Sequence, residues 1–290
     1  SIIMKKSLLV TLALSLVLVA AGCSKTTENT TEEVATEVED ATEAVEEDAA
    51  EAEDTAEVDA AEAETEADTE NAATAEGVMS YADYVAADVD TEVCVETYVQ
   101  AKQAWWEDNG VGQATFYTQN QDGAFFIYNM PCSQEDYDKL VPGTKIKVTG
   151  FKSEWSGEVE IVDATYEIED TDTFVADAKD VTDLLGKDEL IDYQNQFVSF
   201  KGMTVEAAND AGDAFLYKWD GSGTEGDDLY FNVSLDGNTY TFTVESYLCD
   251  KDSDVYKAVQ NLKVGDVVDM EGFLYWYEGV NPHITSVSVQ

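Results

Sequence analysis

The sequence predicts a mainly β chain made of two copies of one small five-stranded barrel in tandem, each with a single short helix. Three observations carry that expectation. Beyond about residue 80, short runs rich in aromatic and β-branched residues alternate apolar with polar, the period of half-buried strands. Glycine punctuates these runs at one spacing used twice: Gly143, Gly150 and Gly157 against Gly265, Gly272 and Gly279, with Phe151 and Phe273 each following the middle glycine. A Leu-x-x-Gly opens each triplet, at Leu140-Val-Pro-Gly143 and Leu262-Lys-Val-Gly265, and self-similarity of this kind marks a repeated structural unit.

The first part of the chain reads differently. After Met4, the expected start, Lys5 and Lys6 precede an apolar run from Leu8 to Ala21 that is too short to span a bilayer comfortably, the pattern of an export signal. The run closes on Val19-Ala20-Ala21-Gly22-Cys23, which resembles the lipobox of bacterial lipoprotein precursors, with Ala20 where that family prefers Leu. The resemblance implies that residues 1–22 are removed and that Cys23 is lipidated. Its acyl chains would then hold the protein at the extracytoplasmic face of the cell membrane. Residues 26–77 are almost wholly Ala, Glu, Thr, Asp and Val, with 21 acids and no aromatic residue. Such a composition cannot build a core, and like charges at i,i+4 spacing oppose a helix. Residues 23–77 are therefore expected to be a disordered, charge-stretched stalk.

Two repeats of the same order follow. In the first, over 78–168, a strand Glu92–Gln100 leads through a loop to a hairpin, Thr115–Gln119 with Phe125–Tyr128, turning at Asp122-Gly123. A short helix Glu135–Leu140 and a final pair of strands, Lys145–Phe151 and Glu158–Ile168, complete it. In the second, over 192–290, the matching elements are Gln196–Ala207, the hairpin Leu229–Ser234 with Tyr240–Val244 about Asp236-Gly237, the helix Asp254–Leu262, and Val267–Tyr275 with His283–Val289. Residues 169–191 are the connector, with a short helix around Val181–Leu185. Strand, hairpin, helix, hairpin is the order of an OB-fold. The chain resembles tandem OB-fold-like lipoproteins of gram-positive gut bacteria, a type without established activity.

OB-folds bind ligands on a face framed by the first loop and the loop between the last two strands. The aromatic residues fall there: Trp105 and Trp106 in the first loop and Trp155 in the last loop of repeat one, Trp219 and then Tyr275, Trp276 and Tyr277 at the matching places of repeat two. Rings in polar loops are candidates for stacking on sugars or bases, and they serve equally well to cap the barrels or join the repeats. Charge separates the ligand classes. Of 62 acids, 21 lie in 26–77, leaving 41 against 12 lysines and no arginine, a formal charge near −29 on the folded part. Lys145, Lys147 and Lys152 form its one basic cluster. Phosphate binding draws on Lys and Arg, so the charge argues against nucleic acid and favours a binding module for an extracellular glycan or protein partner, with a nucleic-acid-binding lipoprotein and a structural component of an envelope complex as the alternatives.

Chemistry of other kinds finds little support. One histidine, His283, and no Gly-x-Ser-x-Gly elbow leave most hydrolytic mechanisms without a base, so no enzyme and no cofactor is expected. Asp250-Lys-Asp252-Ser-Asp254 opens like a calcium loop but continues with Val255 where Gly is needed and Asn261 where a bidentate Glu is needed, so no metal is expected there. The Asp220–Asp228 loop could also gather oxygen ligands. Beyond Cys23 the chain has Cys94, Cys132 and Cys249; a Cys94–Cys132 disulfide is one arrangement, and matched buried thiols at Cys132 and Cys249 are the other.

Overall fold

The computed structural model describes residues 77–290; the export signal, Cys23 and nearly all of the acidic segment lie outside the described residues. The first sheet holds β1 (Glu92–Lys102), β2 (Trp106–Asp108), β3 (Val111–Gln119), β4 (Ala124–Pro131), β5 (Thr144–Trp155) and β6 (Glu158–Thr173) in the order β1-β5-β6-β4-β3-β2, and β1 also pairs with β3. That extra pairing closes five strands into a barrel with β2 as an appendage. The second sheet repeats the scheme with β8 (Phe197–Glu206), β10 (Leu229–Leu235), β11 (Asn238–Val244), β12 (Val267–Phe273) and β13 (His283–Val289), closed by β8 on β10. Here β7 (Lys179–Asp180) and β9 (Leu216–Tyr217) are the appendages. In both barrels the third and fifth strands meet in parallel at a single pair, Ile127 with Ile161 and Thr243 with His283. All other contacts within the barrels are antiparallel. This is OB-fold topology, twice, as the element order predicts.

Alternation explains each barrel. Leu229, Phe231 and Val233 of β10 point into the core while Tyr230, Asn232 and Ser234 point out, and Val93 and Val95 of β1 do the same for barrel one. Asp236 and Gly237 both take positive φ, 51° and 84°, between the paired Leu235 and Asn238, which is the tight turn a right-twisted hairpin requires. The middle glycines are set by close approach. A Cβ on Gly272 would lie 2.3 Å from the His283 carbonyl oxygen, and one on Gly150 would lie 2.8 Å from that of Val162.

The helices are α1 (Tyr81–Ala86), α2 (Gln134–Lys139) and α3 (Asp254–Gln260), each N-capped by a serine: Ser80, Ser133 and Ser253. The sequence pattern does not announce α1, which the Lys152 ammonium anchors from within by donating to the Tyr84, Val85 and Ala87 carbonyls at 2.7–2.9 Å. Two boundaries differ from expectation for local reasons. β6 runs on to Thr173, into the expected connector, because Tyr98 and Lys145 of the neighbouring strands hold Asp172. β12 stops at Phe273, before Tyr275, because Leu274 turns into the core and exchanges backbone hydrogen bonds with Asn195 and Gln196. The connector carries 3-10 turns at Thr182–Leu184 and Asp188–Tyr193.

Candidate functional site

In an OB-fold the outer face of the second and third strands is the usual ligand surface, and in barrel one these are β3 and β4. That face is sealed. Tyr117 and Phe126 point outward from it, yet they are 0% and 2% exposed because barrel two packs on them. Tyr117 stacks on Phe273 with ring centres 4.5 Å apart, and Phe126 meets Tyr275 edge-on at 5.4 Å. Polar contacts stitch the seam. Gln119 accepts from the Phe197 amide (2.9 Å), Glu158 from the Trp276 amide (2.9 Å), and the Gly157 carbonyl from the Gln194 side chain (2.8 Å). His283 lies within the seam, 2.5 Å from the Tyr117 hydroxyl and stacked on Tyr275 at 4.1 Å. Burial pushes its pKa down to about 3 and that of Tyr117 well up, so both are neutral and joined by one hydrogen bond.

The expected ring cluster is therefore divided. Trp105 packs on the core of barrel one, donates its indole N–H to the Cys132 carbonyl at 2.9 Å, and lies so close over Gly112 that a Cβ there would be 2.2 Å from its ring. Trp106, which opens β2, is 40% exposed. With Trp105 held inward on the barrel core and Trp106 turned to solvent, the two indoles do not form one platform. Tyr275 belongs to the seam and Trp276 to the packing of barrel two. Trp219 is exposed on the loop between β9 and β10. Trp155 and Tyr277, from the last loops of different repeats, do come together, with ring centres 5.1 Å apart.

That pair borders the outer surface of β10 and β11 in barrel two, near Tyr230, a face that is open at Thr241 and covered at Thr243 by Asn281. Tyr230 and Asn232 project there from β10, and Asn232 accepts a hydrogen bond from Thr241 of β11 at 2.8 Å. At the strand ends, Asp228 accepts from the amide and hydroxyl of Ser246, and Glu245 from the amides of Tyr247 and Leu248. Burial, and next the charge of Asp228, push the Glu245 pKa up to about 8. Burial raises Tyr230 to about 12, with Asp228, Glu245 and Tyr277 adding to the rise. Rings and uncharged hydrogen-bonding groups line this face, beside acids and without a cation among the residues named. Two of the three lysines read from the sequence are engaged elsewhere: Lys145 pairs with Glu96 at 2.9 Å and Asp172 at 3.4 Å, and Lys152 holds α1, while Lys147 lies on β5 of barrel one.

Among the described residues no group of three or more His, Cys, Asp or Glu is placed to hold a metal. Asp250 instead accepts the Asp252 amide on its side chain and the Ser253 amide on its carbonyl, and Ser253 caps α3. The Asp-x-Asp-x-Asp run is a turn leading into a helix. Cys94, Cys132 and Cys249 are free thiols. The Cys94–Cys132 bridge is not formed, because Cys94 stands opposite Thr149 at the start of β1 while Cys132 bonds to Gly112 at the other end of the barrel. Burial pushes the Cys132 and Cys249 thiols up to about 11 and 12, which keeps them unreactive.

No family model and no curated protein matches this chain. Solved structures do. A murine DNA-binding protein bound to double-stranded DNA aligns with a TM-score of 0.32 at 11% identity, over 68% of this chain and 94% of that one. The p204 HINb domain gives 0.30 at 11%, over 67% and 94%. A replication protein A heterotrimer bound to single-stranded DNA gives 0.28 at 12%, over 67% and 49%. The OB-fold identification stands on the strand order and the two closing pairs described above.

Proposed function

We propose that this chain is a non-enzymatic binding module, carried at the outer face of a cell membrane by a lipid on Cys23, whose recognition surface is the outer face of β10 and β11. The ligand class that suits it is a neutral glycan. The observation that carries this reading is the asymmetry of the two barrels: the conventional face of the first is consumed by the seam, while that of the second is open at Thr241 and presents Tyr230, Tyr277 and Trp155 beside Asn232 and Thr241. Rings supply stacking area and amide and hydroxyl groups supply direction, the combination that a sugar face and its hydroxyls require.

A second reading, single-stranded nucleic acid, draws on the same rings, since bases stack on them without regard to sequence. Against it stand 41 acids to 12 lysines and the engagement of Lys145 and Lys152 in structural contacts. One titration separates the two. Trp155 borders the face, so tryptophan emission of the full chain is followed against neutral oligosaccharides and single-stranded oligonucleotides at low and physiological salt. A saturable, salt-independent response to an oligosaccharide, weakened about tenfold by Tyr277→Ala, supports the glycan reading, a loss of about 1.4 kcal/mol. A response to oligonucleotides that falls steeply with salt establishes the second. Silence toward both overturns both. The anchor is tested apart from the ligand: Cys23→Ser is expected to move the protein from the membrane fraction to the medium.

A further inference from the structure

The two repeats close the gap between their third and fifth strands differently. In barrel two α3 lies over that gap and buries Val255, Tyr256 and Val259. In barrel one α2 buries no residue, and an open recess of about 440 Å3 remains, lined by Pro131, Asp136, Ala164, Thr165, Tyr166 and Ile168. Beside it runs an unpaired strand edge. β4 and β6 share a single ladder pair, Ile127 with Ile161, so among the described residues the run Thr165–Glu169 of β6 pairs with β5 alone. Ile168 is 38% exposed there.

We propose that this recess and edge form a docking groove for a cationic extended peptide, which adds to β6 as a strand, seats an apolar side chain between Pro131 and Ile168, and turns basic groups toward Asp136 and Glu167. The edge supplies unused backbone donors and acceptors over several residues, the requirement for strand addition. Its charge chooses the occupant. Glu167 on the edge and Asp170 just beyond it, with Asp136 on α2, which also accepts from the Tyr166 hydroxyl, repel a second copy of this acidic chain and attract a basic one. The neighbouring cations are Lys147, opposite Glu167 on β5, and Lys139 on α2, which pairs with Glu135 at 3.3 Å.

The test uses the full chain and backbone-amide NMR with two capped hexapeptides, one alternating Lys with Val and one alternating Glu with Val. Because the acidic segment 26–77 attracts any cation, the position of the shifts, and not the affinity alone, is the readout. We expect the Lys–Val peptide to shift amides 165–169 saturably and the Glu–Val peptide to leave them in place. The double variant Glu167→Lys, Ile168→Lys changes two exposed residues, and its binding should be at least tenfold weaker with the rest of the spectrum unchanged. Three results would overturn the proposal: shifts scattered over acidic positions without focus on β6, shifts at 165–169 that appear with protein concentration alone, and shifts there with a helical amphipathic peptide only. The second would assign the groove to another copy of this chain and the third to a helix that mimics α3. The wild-type map decides the matter even if the double variant fails to fold.

Discussion

His283 forms the parallel contact between β11 and β13 with Thr243, Glu245 lies two residues beyond Thr243, and burial holds His283 and Glu245 each in its uncharged form. Their effects on stability run in opposite directions with pH. The folded chain keeps the Glu245 proton up to about pH 8, whereas the unfolded chain releases it in the usual carboxylate range, so stability falls as pH rises through that window. Folded His283 refuses a proton down to about pH 3, whereas unfolded histidine takes one near 6.5, so stability falls as pH drops through that window. Between roughly pH 4.5 and 6.5 the two slopes oppose each other. From about 6.5 to 8 Glu245 acts without opposition from His283, and Glu158, fully buried and also raised, adds to the decline. We expect Tm to fall gently through mild acid, where His283 offsets one of the two carboxylates, and more steeply from about pH 6.5 to 8, in thermal melts at high salt, which screens the surface charges. Glu245→Gln should flatten that fall and raise Tm at pH 8. An unchanged pH profile in the variant would mean that Glu245 is already ionised in the fold.

At the scale of the element, the glycine triplet shows what a sequence can and cannot declare. Its repetition identified the barrels, and its physical cause is now plain. Gly143 and Gly265, both at φ 95°, make the turn into the fourth strand, Gly150 and Gly272 admit the fifth strand across the fourth, and Gly157 and Gly279 turn the last loop. A Cβ on Gly272 would meet only backbone atoms of His283 and Ile284, the nearest at 2.3 Å, whereas one on Gly150 would meet an Ile161 methyl at 2.7 Å and the Val162 carbonyl oxygen at 2.8 Å, a looser approach. Gly272→Ala should therefore cost about 3 kcal/mol and Gly150→Ala less, measured by chemical denaturation. Both glycines also sit at a shift in strand register, between Thr149 and Phe151 and between Glu271 and Gly272, and equal costs would place the constraint there and not in the close approach. The candidate rings were legible only as a set. Trp155 and Tyr277 stand in the loops where stacking residues were expected, but nothing local tells that Trp105 finds a carbonyl acceptor at Cys132 or that Tyr275 finds His283. Those partners lie 27 and 8 residues away and are chosen by packing.

For the molecule as a whole, the seam decides what the repeat can do, and the seam was the least legible feature. Tyr117 and Phe126 occupy positions that in an isolated barrel would face water, where an aromatic residue reads as a ligand platform. Only the second barrel shows them to be core. Because Tyr117, Phe126 and Phe273 form a cluster shared between the repeats, and because Glu158, Gln194 and Gln119 find partners across the seam, neither barrel retains its full packing alone. The described region should then unfold in one calorimetric transition. Phe126→Ala removes a side chain from the shared cluster at a cost of about 3–5 kcal/mol, and because that cluster couples the barrels, we expect the transition to split in two. The lower step should carry the loss of Tyr117–His283 contact, visible as histidine titrating near its ordinary value once the first barrel has melted. A single transition shifted downward as a block would instead show that the polar stitches from Glu158, Gln194 and Gln119 suffice to keep the two barrels cooperative without the aromatic cluster.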